Sequence, residues 1–321
     1  MPVFDMSSIA GVSDLRITER LFQIYSHLAN AFVWCDQDDP ASFVPEAVAV
    51  PLVQLAHIVE RPPIVPYAST GLANFERLDP TSPHQLENLR CIQKLVDIED
   101  ESWFHLVHVE IEAHAGVAIF ALIEAARLAK LSDVAGVEAE LAKVPSVFDK
   151  MIRSFRRITE RCDTNVYYHT LRPYLFGFDG IIYEGVAEFD GKPMTFRGES
   201  GAQSTVIPAI KALIGLQHSH GGLSEDLEDM KSYMPKPHRE LLSAIDPTAI
   251  RSFVERSDNP NLREVYNLCL ERMVDFRSLH LKMAHAFIAQ KVKDPRGTGG
   301  TDFMKWLTQL RDETAQQMIT A

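Results

Sequence analysis

Apolar positions in this chain recur mostly at helical spacing. Leu15, Leu21, Phe22, Tyr25 and Leu28 form one stripe, and Ser13 is placed to cap a helix running to about Trp34. Residues 35–85 break that rhythm. Pro40, Pro45, Pro51, Pro62, Pro63, Pro66, Pro80 and Pro83 punctuate them, and proline removes a backbone donor and crowds the preceding turn. Short helices and irregular chain are expected there. From Gln85 the helical period returns. It predicts helices over about 85–97, 101–130, 132–161 (with Ser132 as cap), 165–176, 203–216, 261–293 and 302–318. Residues 177–180 read as a turn. Residues 181–196 (IIYEGVAEFDGKPMTF) alternate with period two, which predicts a hairpin tipped by Asp190-Gly191, the one strand pair expected. The chain therefore reads as all-α, with a smaller irregular N-terminal region (1–85) and a large helical domain (86–321).

Composition narrows the function. At 321 residues and 46% hydrophobic, the chain can bury a core large enough to enclose a cofactor. Its net charge of -12 repels phosphate backbones, so nucleic acid is not an expected partner. Cys35, Cys91, Cys162 and Cys269 form no CxxC pair and read as reduced thiols. The start of the chain lacks a basic segment followed by an apolar one, and no apolar run approaches the ~20 residues of a membrane span. A cytoplasmic protein with no membrane partner is expected.

The candidate chemistry centres on Met273 to Ile288 (MVDFRSLHLKMAHAFI). Met273, Phe276, His280, Met283, Ala284 and Phe287 share one helix face, so His280 interrupts an apolar stripe. Two readings are open for such an imidazole. One is a core histidine hydrogen-bonded to a backbone carbonyl. The other is an axial ligand to haem iron, with Phe276 among the apolar residues that a porphyrin face needs. Arg277 could then pair with a haem propionate, or it is a surface charge. His285 lies on another face and reads as structural or exposed.

Three further segments join this one: YYHTLRPYL (167–175), FRGESGAQS (196–204) and GTGGTD (297–302). With FRSLHL around His280, their order and spacing resemble the indoleamine 2,3-dioxygenase family. The likeness is good from about Asn165 to Leu310, weaker over Trp103 to Ala118, and faint before that. It implies a two-domain helical haem dioxygenase fold holding haem b in the large domain. It implies His280 as the proximal iron ligand and Arg277 as a propionate partner. Arg172 would hold a substrate carboxylate, and Tyr167 and Tyr168 would form the aromatic pair beside it. Tyr168 and Arg172 are four apart, so an aromatic and a guanidinium project together. Ser200, Gly201 and Thr298 would line the substrate and propionate side, and Gly297 to Gly300 would offer bare backbone N–H groups to anions. The plain alternatives are a surface ion pair for Arg172, core packing for the tyrosines, and a flexible surface loop for the glycines.

Departures from the family carry information. Its mammalian members have phenylalanines where this chain has Tyr167 and Tyr168. The same offset puts Phe104 on the distal-pocket phenylalanine and His108 where mammalian enzymes have serine. A distal histidine there resembles the related tryptophan 2,3-dioxygenases, where it contacts the indole N–H and acts in catalysis; a core histidine is the alternative. The implied reaction inserts O2 across the indole C2–C3 bond of L-tryptophan to give N-formylkynurenine, as in tryptophan catabolism, with an electron donor keeping the iron ferrous. Two rivals use the same residues: hydroxylation or rearrangement of another aromatic amino acid, and a non-enzymatic haem protein that stores or senses O2. A separate metal site on His105, His108 and Glu112, or on Glu110 and His114, is weakly supported by spacing alone.

Overall fold

The computed structural model describes residues 2–6, 9, 14–218, 228–292, 298 and 303–320. It is mostly helical, as expected. Helix α1 spans Leu15–Val33, and Asp14 caps it by accepting from Arg16 N–H; Ser13 lies outside the described residues. Strand β1 (Phe43–Val44) follows. Helix α2 (Glu46–Val59) runs through Pro51 and ends on Glu60 in the left-handed region. The proline-rich stretch thus holds one α-helix, a wide π turn (Ala68–Leu72) and short strands.

Helix α3 (Glu99–Lys130) is the spine of the larger core. Glu99, Asp100 and Glu101 in its first turn and Arg127 and Lys130 in its last oppose the helix dipole. Ala115, Ala118, Ala121 and Ala125 let α4 (Val134–Leu141), α5 (Val144–Arg156) and α7 (Val206–Ile214) pack close. The short α6 (Thr164–Val166) leads into a wide π turn, Tyr167–Leu171, and a tight turn, Arg172–Leu175. Helices α8 (Lys236–Ala244) and α9 (Ala249–Arg256) follow. Then α10 (Pro260–Phe287) crosses α4 and α5, and α11 (Phe303–Ala315) lies along α10. Asn259 caps α10 with Pro260 in its first turn.

Several expected elements change. Residues 85–97 form no α-helix. Leu89–Cys91 is instead strand β3, paired antiparallel with β2 (Phe75–Arg77), and Glu110 holds the N–H of Leu86. The helix expected over 132–161 is two helices, because Pro145 cannot extend α4. Ser132 adopts φ 59° and Asp133 caps in its place. The hairpin exists as β4 (Phe178–Tyr183) against β5 (Pro193–Phe196), with Asp190 and Gly191 both at positive φ in its loop. It is not the one strand pair, since β1 adds in parallel to β4. The helix expected from Asp302 is described from Phe303. Finally, α3 is long and apolar enough to cross a membrane, contrary to the sequence reading, with half of its apolar window buried inside the fold.

Two apolar cores result. One gathers α3, α4, α5, α7, α9 and α10. The other gathers α1, α2 and the β1–β4–β5 sheet around Phe22, Leu52, Phe178 and Tyr183. Pro62–Thr70 and the 196–204 loop touch, with Tyr67 N–H donating to Gln203 Oε1 at 2.8 Å and Thr70 Oγ1 3.0 Å from Glu199 Oε1.

Candidate active site

His280 stands on α10 with its ring half-buried against Phe155, centroids 5.8 Å apart. Neither ring nitrogen has a hydrogen-bond partner among the described residues. A core histidine tied to a carbonyl is therefore not what the structure contains. Burial first, then the nearby His108 and Arg277, pull its pKa down to about 4. It is neutral, with a lone pair free for a metal. Phe276, one turn back, is buried between Phe148 and Phe155 at 6.2 and 5.8 Å.

Arg277 is no surface charge. It is 5% exposed. One terminal nitrogen donates to the Leu310 carbonyl at 2.6 Å, another lies 3.4 Å from His218 Nε2, and its buried Nε has no partner among the described residues. His218 in turn meets Glu313 at 2.8 Å. Burial lowers the Arg277 pKa to about 10. A desolvated guanidinium with an orphan donor suits an anion. The residues thus fit a haem: a neutral imidazole on an apolar wall, and a cation one turn away. His285 is exposed.

On α3, Phe104 and His108 face the same space. Their rings lie 4.6 Å apart, and Phe104 lies 4.7 Å from Tyr167. Tyr67 meets His108 edge-on at 6.1 Å, and Phe287 closes on Tyr167 at 5.4 Å. His108 Nδ1–H donates to the Phe104 carbonyl at 2.7 Å, and burial lowers its pKa. A neutral ring with its proton on Nδ1 leaves Nε2 as an acceptor.

Arg172 is buried and stacked, its guanidinium carbon 5.1 Å from the Tyr168 ring and 4.8 Å from Phe176. The pairing of Tyr168 with Arg172 therefore survives the π turn between them. Tyr167 is buried and Tyr168 half-buried. Beside them, Ser200 Oγ caps the turn Gly201–Gln203, and a side chain at Gly201 would meet only open space. Thr298 Oγ1 donates to the Glu199 carbonyl and lines an open cleft with Gly198, Arg197 and Tyr233. Gly297, Gly299 and Gly300 lie outside the described residues.

The alternative metal sites do not assemble. No group of three metal-ligating side chains is found among the described residues. Glu112 instead accepts from Tyr67 and Ser204, and Glu110 holds Leu86. Sequence reasoning missed Tyr67, Phe155, Thr70 and the role of Glu199. Tyr67 and Thr70 sit in the proline-rich stretch, where no periodicity assigns a face.

The family model described as indoleamine 2,3-dioxygenase matches residues 1–295. The chain is 30% identical to indoleamine 2,3-dioxygenase 1 of Rattus norvegicus, over 92% of this chain and 78% of that protein. It is 28% identical to the indoleamine 2,3-dioxygenase of Saccharomyces cerevisiae, covering 94% and 79%. A 6-hydroxytryptophan 2,3-dioxygenase of Fusarium equiseti is 24% identical, covering 94% and 81%. A neutral, partner-free histidine beside a buried arginine, an aromatic pocket opposite, and these matches lead to one conclusion: the chain belongs to the indoleamine 2,3-dioxygenase family and is a haem-dependent dioxygenase.

Proposed function

We propose that this enzyme inserts both atoms of O2 across the indole C2–C3 bond of L-tryptophan, or of a ring-substituted tryptophan, to give the corresponding N-formylkynurenine. The observation that carries the reading is the His108 tautomer: an aromatic pocket in which an imidazole nitrogen accepts a hydrogen bond suits an indole N–H. His280 would hold haem b at the iron, Phe276 would back the porphyrin, and Arg277, Ser200, Gly297 and Thr298 would serve its propionates. When bound, the haem supplies the redox-active iron that activates O2, kept ferrous by an external electron donor.

The chain's own part is placement. Phe104 and Tyr167, packed on each other, present one aromatic wall to the indole. His108 Nε2 accepts the indole N–H and fixes the ring's rotation. Arg172 forks onto the carboxylate, stiffened by its stacking on Tyr168 and Phe176. Ser200, Gly201 and Thr298 border the amino-acid end. Together these fix the C2–C3 bond in one position and exclude water. The phenols of Tyr167 and Tyr168 add hydrogen-bonding capacity near the ring. That suits a ring-hydroxylated substrate, and one relative is named for 6-hydroxytryptophan. The four cysteines, all free, suit a reducing compartment, and the cytoplasm is the proposed location.

The test is the product. Haem-loaded, reduced protein in air is supplied with L-tryptophan or 6-hydroxy-L-tryptophan, and product mass and absorbance are read. A gain of two oxygen atoms with an N-formylkynurenine band is expected from at least one. A gain of one oxygen would make it a hydroxylase, and no product from either would overturn the reading.

A further inference from the structure

Glu199 is a carboxylate for which the fold supplies no counter-charge. It is 5% exposed, yet it makes no salt bridge among the described residues. Its one side-chain hydrogen bond comes from Thr70 Oγ1, at 3.0 Å to Oε1. Oε2 has no hydrogen-bond partner among the described residues. The carboxylate stands beside the aromatic pocket: the Thr70 hydroxyl that meets it also lies 3.0 Å from the Tyr67 carbonyl, and the Tyr67 ring meets His108 at 6.1 Å. The backbone fixes this placement. Glu199 N–H donates to the Leu175 carbonyl at 3.0 Å, at the end of the Arg172 turn, and Thr298 holds the Glu199 carbonyl.

We propose that Glu199 is the ammonium-binding residue of the substrate site, so that Arg172 and Glu199 together select α-amino acids over indoles lacking the amino group. The proposal rests on the tryptophan reading above. A buried carboxylate without a cation is costly unless it is protonated or a cation arrives. Burial, opposed only by the Thr70 hydrogen bond, pushes its pKa to about 7. The substrate ammonium is the missing cation, and it reaches Glu199 only when its carboxylate is seated on Arg172. An ammonium–carboxylate bond formed inside the pocket is worth more than one in water.

The experiment measures binding to the haem-loaded protein by calorimetric titration, with L-tryptophan and with indole-3-propionate, which lacks only the ammonium. Glu199→Gln keeps the shape and the Thr70 bond. It is expected to weaken L-tryptophan at least tenfold and leave indole-3-propionate within twofold. Unchanged L-tryptophan binding, or equal weakening of both ligands, would overturn the role of Glu199 while leaving the substrate reading intact. If the unaltered protein binds neither ligand, the substrate reading itself has failed. Should Glu199→Gln not fold, Glu199→Asp withdraws the charge by one methylene and must show the same selective loss.

Discussion

His108 and Phe104 are joined by a hydrogen bond one helical turn long: the imidazole Nδ1–H donates to the Phe104 carbonyl at 2.7 Å. A carbonyl only accepts, so the proton belongs on Nδ1 and the free Nε2 must accept. His108→Ala should therefore erase a preference rather than all turnover. The unaltered enzyme should favour L-tryptophan over 1-methyl-L-tryptophan in kcat/KM. In the variant that ratio should fall at least about tenfold, the worth of one buried hydrogen bond. An equal loss on both substrates would leave His108 as packing only.

His280 has no hydrogen bond among the described residues to lose, so its replacement should cost cofactor and not fold. His280→Ala should retain its helical circular dichroism and contain little haem, measured by absorbance at constant protein. Added imidazole should restore part of the haem band by filling the vacated place. Normal haem content in this variant would remove His280 as the ligand.

The residues proposed for the site were brought together by the sequence reading where they share a helix. His280 with Phe276 and Arg277, and Phe104 with His108, lie within a turn of each other, and helical period alone fixes their common face. What lay beyond a turn was not legible. Residues 85–91 carry a helical-looking pattern, but β3 is fixed by pairing with β2, twelve or more residues upstream. Ser132 looks like a cap, yet the chain turns through positive φ there and leaves capping to Asp133. Glu199 sits in a polar loop whose burial is decided by Thr70 and Leu175, from two distant parts of the chain. The π turn at Tyr167–Leu171 has no local signature, and it decides how far Tyr167 turns into the core.

Arg172 lies between two aromatic faces, 5.1 Å from Tyr168 and 4.8 Å from Phe176. Lysine would keep the charge and lose both the planar stacking and the two-pronged grip on a carboxylate. Arg172→Lys should retain full haem content and raise KM for L-tryptophan about tenfold or more. Steady-state kinetics against haem absorbance separates these effects. A KM within twofold of the unaltered enzyme would mean the carboxylate is held elsewhere.

Gly177 and Gly198 press backbone on backbone. A Cβ at Gly198 would lie 2.3 Å from the Leu175 carbonyl oxygen and 2.5 Å from Gly177 N. Neither atom can swing away as a side chain does, so the loop must move. Gly198→Ala should cost about 1–3 kcal/mol and lower Tm by several degrees. Because Leu175 ends the Arg172 turn and Glu199 follows Gly198, KM should rise as well. A lower Tm with unchanged KM would show that this contact supports the fold alone.

His27 and His105 make the fold acid-sensitive. Both are nearly fully buried, and each has an Nε2 with no hydrogen-bond partner among the described residues. Desolvation first, then Arg20 for His27 and His27 and His108 for His105, hold their pKa values at about 4 and about 3, below the ordinary 6.5. Between 6.5 and those values the unfolded chain takes up protons that the folded chain refuses. Stability is therefore whole above pH 6.5 and is lost as pH falls through that window. Glu101, 3.9 Å from His105 Nε2, has a raised pKa and opposes this in part, because its contribution is lost as pH rises. Denaturant unfolding of the haem-loaded protein at pH 7.5 and pH 5.0 should show a loss of a few kcal/mol. In the His27→Gln, His105→Gln double variant, which cannot titrate at either place, that loss should shrink by about 2 kcal/mol or more. An equal loss in both proteins would move the acid sensitivity to other groups, with His218, also held at about 4, next in line.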